Sequence, residues 1–100
     1  MSKSIYLDNQ STTPIDPKVL DAMIPFFVEK FGNASSIHHS YGQESKDAVE
    51  KARSFLANAI NAQKREIIFT SGATEAINLA LKGIVETYTK NKHIITQSTE

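Results

Sequence analysis

Residues 66–79 read EIIFTSGATEAINL, and this stretch decides how the chain is organised. Its apolar run at residues 67–69 has the β preference that is typical of a short buried strand. The polar residues 70–72 end that run, and a helical pattern begins directly after them. Gly72 permits a backbone angle that other residues resist, or the close approach of a ligand. The stretch therefore predicts a strand, a tight turn and the first turn of a helix.

The start of this predicted helix is suited to an anion. The backbone N–H groups of residues 73–76 have no partner inside a helix, and the hydroxyls of Ser71 and Thr74 accompany them in the sequence. Glu75 falls in the first turn, where a negative charge suits the helix dipole. The N–H groups and the hydroxyls together predict a site for a phosphate group.

The composition excludes several classes of protein. Eleven basic and eleven acidic residues give a formal net charge of zero, so there is no basic field to attract nucleic acid. The sequence has no cysteine, hence no disulfide, thiolate metal site or thiol nucleophile. No apolar run approaches the ~20 residues of a membrane span, and the first residues do not resemble a signal peptide. We therefore expect a cytoplasmic protein with no nucleic-acid or membrane partner.

A first helix is expected to begin at Asp16 and Pro17. Asp16 is a favourable N-cap residue, and Pro17 fits the first helical position. Apolar residues then recur at helical spacing. Pro25 lies inside this pattern and removes one backbone hydrogen bond, which predicts a kink or break. The segment is expected to continue to about Lys30 and to stop near Gly32.

A second helix is expected from Gln43 to about Asn61. Its solvent-exposed face is expected to carry a charged pair, Glu50 and Arg53, three residues apart. Small residues on the opposite side indicate close packing against a sheet, and that side comprises Ala48, Ala52, Phe55, Leu56, Ala59 and Ile60.

Two segments are expected to be loops. Residues 9–14 are rich in side-chain oxygen and favour an ordinary surface loop. Residues 31–42 have no clear period, and their Asn, Ser and His content favours a hydrogen-bonded loop. The adjacent His38 and His39 cannot share one helix face and have no Asp, Glu or Cys at metal-ligand spacing, so no metal site is expected.

A βαβ unit is expected in the last third of the chain. The helix that follows the turn is expected to bury an apolar stripe and to end near residues 88–92. Residues 93–97 then have the pattern of a second strand. A parallel pair joined by a right-handed crossover follows from this order. Ligands of such sheets lie beyond the carboxyl ends of the strands, where the turn at residues 70–74 is expected to lie.

Four motifs resemble the N-terminal part of the cysteine desulfurases, the IscS/NifS-like branch of the class V aminotransferase family. They are YLDNQSTTP at residues 6–14, FGNASSIH at residues 31–38, FTSGATEAINL at residues 69–79 and KHIIT at residues 92–96. The motifs occur in the family's order and spacing over nearly the whole chain. Ala34 departs from the pattern, because the family usually has proline there.

The resemblance implies the N-terminal part of an α/β, fold-type-I transferase that depends on pyridoxal 5′-phosphate. An N-terminal arm would occupy residues 1–15, a helical segment residues 16–62, and the start of the cofactor-binding large domain, with its βαβ unit, residues 63–100. In the family, the Ala-Thr of the turn holds the cofactor phosphate, which corresponds to Ala73 and Thr74 here. Asn78 is expected to brace the turn from behind.

The resemblance also implies an activity. Family members convert L-cysteine to L-alanine and pass the sulfur on as a persulfide, for iron–sulfur cluster assembly and tRNA thiolation. They are dimers and serve an iron–sulfur scaffold protein.

Several of the family's catalytic residues have no match in these 100 residues. They are the histidine that stacks on the cofactor ring, the aspartate that partners its nitrogen, the Schiff-base lysine and the persulfide cysteine. No catalytic residue is therefore assigned, and the chain is expected to be incomplete and unable to catalyse alone. The alternatives are a truncated or split-gene piece that associates with a larger desulfurase chain, and a free-standing phosphate-binding module.

Overall fold

The computed structural model describes residues 4–88, 90 and 92–99. Its helices are α1 (Pro17–Val28), α2 (Ser40–Ala59) and α3 (Ala73–Thr87), with a 3-10 turn at Lys64–Glu66. The chain separates into two compact units, Met1–Lys64 and Arg65–Glu100. The first unit therefore contains α1 and α2, and the second contains α3. In the described part of the chain, none of the helices is long and apolar enough to cross a bilayer.

Helix α1 begins as the sequence predicts. The Asp16 side chain accepts a hydrogen bond from the Lys18 N–H at 2.8 Å, and Pro17 is the first helical residue. The helix continues through Pro25, so of the predicted kink or break the break is wrong. The helix ends at Val28, two residues before the expected end near Lys30. Because a proline removes only one intrahelical hydrogen bond and this one lies in the last turn, the remaining bonds hold the helix together.

Helix α2 begins three residues earlier than predicted, at Ser40, because a histidine caps it. The Nδ1 atom of His39 accepts a hydrogen bond from the Gly42 N–H at 3.1 Å. Sequence rules look for Ser, Thr, Asp or Asn at this position, so they miss an imidazole acceptor.

The end of α2 follows a known C-terminal motif. Asn61 has a φ of 55°, in the left-handed region. The Ala62 N–H donates to the Ala57 carbonyl at 2.8 Å, and the Asn61 N–H donates to the Asn58 carbonyl at 3.3 Å. These two bonds form a Schellman motif, and asparagine is one of the few residues that tolerate its left-handed position.

The loop before α2 is hydrogen-bonded, as the sequence predicts, and the residues that flank it are also joined by a hydrogen bond. The Ser36 N–H donates to the Asn33 carbonyl at 2.9 Å, and the Ser45 hydroxyl donates to the Lys30 carbonyl at 3.2 Å. A Cβ atom at Gly42 would overlap the Ser36 carbonyl, so the loop can approach the helix only over a glycine.

The predicted βαβ unit is not shown. Residues 67–70 and 92–97 are neither helical nor turn, but no β-strand is assigned within residues 4–88, 90 and 92–99. A parallel pair is less stable per residue than an antiparallel one, and parallel strands normally lie within larger sheets that are covered on both faces. The apolar pattern of each segment is typical of a β-strand. A strand also needs backbone hydrogen bonds to a neighbouring strand.

The apolar faces of α2 and α3 are exposed, whereas the sequence predicted that they would be buried. Phe55 of α2 and Ile60, the C-cap residue directly after it, are 72% and 67% exposed. Ile77 and Ile84 of α3 are 56% and 58% exposed. The residues classed as buried in the described ranges are Gly42, Ser45 and Ala57, all in α2. Periodicity predicts which apolar residues share a face of the helix, but it does not say what covers that face.

Candidate functional site

The turn before α3 leaves open space at Gly72. This residue is the N-cap of α3, and its carbonyl accepts the first helical bond from the Ala76 N–H at 3.1 Å. Its φ of 166° is extended backbone that any residue can adopt, so the predicted need for an unusual angle is wrong. A Cβ atom here would meet nothing within 4 Å. The other predicted reason for glycine, close approach of a ligand, remains compatible with this space.

The hydrogen-bond donors of Ala73 and Thr74 lie at the start of α3. Within the described part of the chain, neither the N–H groups of Ala73 and Thr74 nor the Thr74 hydroxyl has a hydrogen-bond partner. The N–H groups of a first helical turn point out of the helix end, where the dipole is positive. The structure thus places both sequence-predicted residues at the same helix terminus.

Ser71 differs from Thr74, although the two hydroxyls were predicted to have the same role. The Ser71 N–H and the Ser71 hydroxyl both donate to Oε2 of Glu75, each at 2.7 Å. The Ser71 hydroxyl is therefore engaged within the chain. Sequence reasoning missed this contact because the usual capping box pairs residues three apart, whereas these two are four apart.

The two bonds from Ser71 lower the pKa of the Glu75 carboxyl below its ordinary value of 4.5, with the backbone N–H as the larger cause and the hydroxyl as the second. Both bonds favour the charged carboxylate. Because the carboxyl binds protons less readily in the folded chain than in the unfolded chain, the contact stabilises the fold above pH 4.5. That stabilisation is lost as the pH falls through the lower pKa of the folded state.

A Glu75→Ala variant is therefore expected to be less stable than the wild type at pH 7, by a margin that shrinks as the pH falls below 4.5. Denaturant titrations of both proteins from pH 7 to about pH 3 measure this margin. A margin that stays constant over the whole range would contradict the contact. Glu86→Ala, at an exposed position near the other end of α3, is the control.

Asn78 supports the turn from the helix side, as the sequence indicated. Its Nδ2 atom donates to the Thr74 carbonyl, one helical turn earlier, at 2.8 Å. Thr70 adds a longer hydrogen bond than that of Asn78, because its hydroxyl donates to the Gly72 carbonyl at 3.2 Å. The carbonyl of Thr74 and the carbonyl of Gly72, which precedes Ala73, are thus both held by side-chain hydrogen bonds.

The donor set fits a phosphate group. Two backbone N–H groups and one hydroxyl are neutral donors that suit a phosphate oxygen, and the empty space at Gly72 allows close approach. The Glu75 carboxylate accepts hydrogen bonds from Ser71 and leaves the donors of residues 73 and 74 available. The described residues contain no cluster of His, Cys, Asp and Glu that could hold a metal ion.

A family profile and two sequence relatives of this chain indicate the same family. The profile of the family described as aminotransferase class-V matches residues 5–100. The cysteine desulfurase IscS of Rickettsia prowazekii (strain Madrid E) is 59% identical over 97 residues, which are 96% of this chain and 24% of that relative. The cysteine desulfurase IscS of Rickettsia typhi (strain ATCC VR-144 / Wilmington) is 58% identical over the same shares.

A solved structure shows the same fold relationship. A protein described as NifS-like matches with a TM-score of 0.75 and 45% sequence identity, over 85% of this chain and 23% of that chain. The chain therefore spans about a quarter of the length of the relatives that it matches.

Proposed function

This chain belongs to the aminotransferase class-V family, and we propose from this premise that it forms the part of a cysteine desulfurase that binds the phosphate of pyridoxal 5′-phosphate. The observation that carries the proposal is the set of free donors at Ala73 and Thr74. Similarity to cysteine desulfurases over 96% of the chain favours this function over a free-standing phosphate-binding module.

The roles of the residues follow from the donor geometry. The N–H groups of Ala73 and Thr74 donate to phosphate oxygens, and the Thr74 hydroxyl donates a third hydrogen bond. The positive end of the α3 dipole adds to the attraction for the phosphate charge. When bound, the cofactor supplies the electron sink for bond cleavage at the substrate's α-carbon. The chain's own contribution is to hold one end of the cofactor and so fix its orientation.

The finer fold assignment belongs to the same proposal. The predicted strands at residues 67–69 and 93–97 are neighbouring parallel strands of the large-domain sheet, joined by α3. The turn then lies at the carboxyl end of the first strand, the usual ligand position in an α/β sheet. Residues 1–15 form the N-terminal arm and residues 16–62 the helical segment that precedes this domain.

The activity of the whole protein is proposed by analogy with relatives named cysteine desulfurase. The substrate is L-cysteine, the products are L-alanine and an enzyme persulfide, and the sulfur serves iron–sulfur cluster assembly in the cytoplasm. The proposed assembly is a homodimer that meets an iron–sulfur scaffold protein.

Binding of pyridoxal 5′-phosphate and of pyridoxal, which lacks the phosphate, tests the proposal. Both are titrated into protein expressed from the complete gene, and binding is followed by absorbance. We expect the phosphorylated form to bind at least about tenfold more tightly, because hydrogen bonds to a charged group are each worth about 1.5–3 kcal/mol. Equal affinities would contradict the proposed function.

A further inference from the structure

We propose that Glu75 is a positioning residue for the phosphate site. By binding Ser71 it forms a pair within the chain, and the donors of Ala73 and Thr74 remain for the ligand. The inference rests on the proposed function, since it concerns how the phosphate donors are held. Glu75 does not contact the phosphate itself. It acts through Ser71, whose N–H and hydroxyl it accepts at 2.7 Å each.

The position of the contact explains the role. Gly72 lies between Ser71 and the donor residues. As the N-cap it has no side chain to cap the helix, and there is open space where its Cβ atom would lie. A glycine with this freedom has a large conformational entropy, so the peptide planes on either side need another restraint. The doubly hydrogen-bonded carboxylate supplies that restraint on the N-terminal side of the turn. The Thr70 hydroxyl adds one bond to the Gly72 carbonyl at 3.2 Å, which is longer than either bond from Ser71.

The same contact determines which hydroxyl serves the ligand. Ser71 has both of its donors directed at Glu75, whereas the donors of Ala73 and Thr74 are free in the described part of the chain. The phosphate is thus held by residues 73 and 74, and Ser71 serves it only indirectly. The sequence alone did not separate the two hydroxyls.

The negative charge of Glu75 is separate from its positioning role. A carboxylate next to an anion site repels the anion, while its oxygen orients Ser71. A Glu75→Gln variant keeps an acceptor oxygen on a side chain of equal length and removes the charge. Glu75→Ala removes the acceptor as well. The pair of variants therefore distinguishes the acceptor from the charge.

The experiment compares the affinity for pyridoxal 5′-phosphate with the affinity for pyridoxal, using protein expressed from the complete gene. Glu75→Ala is expected to lower the affinity for the phosphorylated form about three- to tenfold and to leave pyridoxal binding unchanged, because the loss of one positioning contact costs about as much as one hydrogen bond. Glu75→Gln is expected to restore wild-type affinity or exceed it. The ratio of the two affinities is insensitive to a general loss of folded protein.

Ser71→Ala and the double variant Ser71→Ala, Glu75→Ala complete the cycle. Because Glu75 acts through Ser71, the double variant is expected to bind like Glu75→Ala alone, without an additive loss. Glu86→Ala, on the same helix, is the control and should match the wild type.

The outcomes separate this inference from the proposed function. If the wild type does not prefer the phosphorylated form, the proposed function fails. If the wild type prefers it and Glu75→Ala keeps the full preference, only the positioning role is overturned. A Glu75→Gln variant that binds as weakly as Glu75→Ala would also overturn that role, since the acceptor oxygen would then be irrelevant.

Discussion

Replacing Ala73 by proline is expected to weaken binding of pyridoxal 5′-phosphate about 10- to 100-fold without loss of stability. Ala73 is the first residue of α3, and its N–H has no partner among the described residues. Proline is favoured at a first helical position, where its missing N–H breaks no helical bond. The extended conformation of Gly72 also suits a residue that precedes proline. The substitution therefore removes a phosphate donor and leaves the helix intact.

Ala73→Ser is the matched control, because it changes the same side chain and keeps the N–H. It should bind the cofactor with nearly wild-type affinity. Titration gives the dissociation constants, and thermal melting shows whether the fold is kept. A stable Ala73→Pro protein with wild-type affinity for pyridoxal 5′-phosphate would contradict the assignment of this N–H to the phosphate.

Replacing Thr74 by valine is expected to weaken binding of pyridoxal 5′-phosphate about tenfold or more. Valine has nearly the shape of threonine, and the two residues have similar helix propensities. The change removes only a hydroxyl that has no partner among the described residues. A hydrogen bond from such a hydroxyl to a charged oxygen is worth about 1.5–3 kcal/mol. The affinity for pyridoxal should stay unchanged, since pyridoxal lacks the phosphate.

Thr87→Val provides the control at the other end of α3. The Thr87 hydroxyl donates to the Gly83 carbonyl at 2.7 Å, so its loss affects the helix end and not the phosphate turn. Equal losses of cofactor affinity in the two valine variants would indicate a general effect on α3 and would count against the specific role of Thr74.

Local signals in the sequence predicted the helix starts that rest on common chemistry. Asp16 and Pro17 fixed the start of α1, and the Thr-Ser-Gly turn located the start of α3. The start of α2 was misplaced because its cap is His39, an acceptor that capping statistics rarely include. Boundaries thus follow from sequence where the cap uses a preferred side chain, and they shift where it does not.

The candidate site was partly predictable. The strand–turn–helix pattern predicted an anion site at the start of α3, and the family motif narrowed it to Ala73 and Thr74, whose contact with a phosphate stays a prediction. The pairing of Glu75 with Ser71 could not be predicted, because both residues also fit a direct role at the helix end and only distances distinguish the two roles. The sequence identified the polar groups, and the geometry shows which of them remain free.

The tertiary environment was the least predictable part. The apolar stripes of α2 and α3 were assigned to a core, but residues such as Phe55 and Ile84 are exposed. The spacing of apolar residues identifies a helix face whose burial stabilises the fold. It does not identify the covering element, which is a long-range property of the fold. The strands of the proposed sheet have the same dependence on neighbours.

The most direct test of the central claim is the structure of the protein from the complete gene with pyridoxal 5′-phosphate bound. We predict that phosphate oxygens lie about 2.7–3.2 Å from the backbone nitrogens of Ala73 and Thr74 and from the Thr74 hydroxyl. The Ser71 hydroxyl should remain bonded to Glu75. A bound cofactor whose phosphate lies beyond hydrogen-bond distance of residues 73 and 74 would contradict the account.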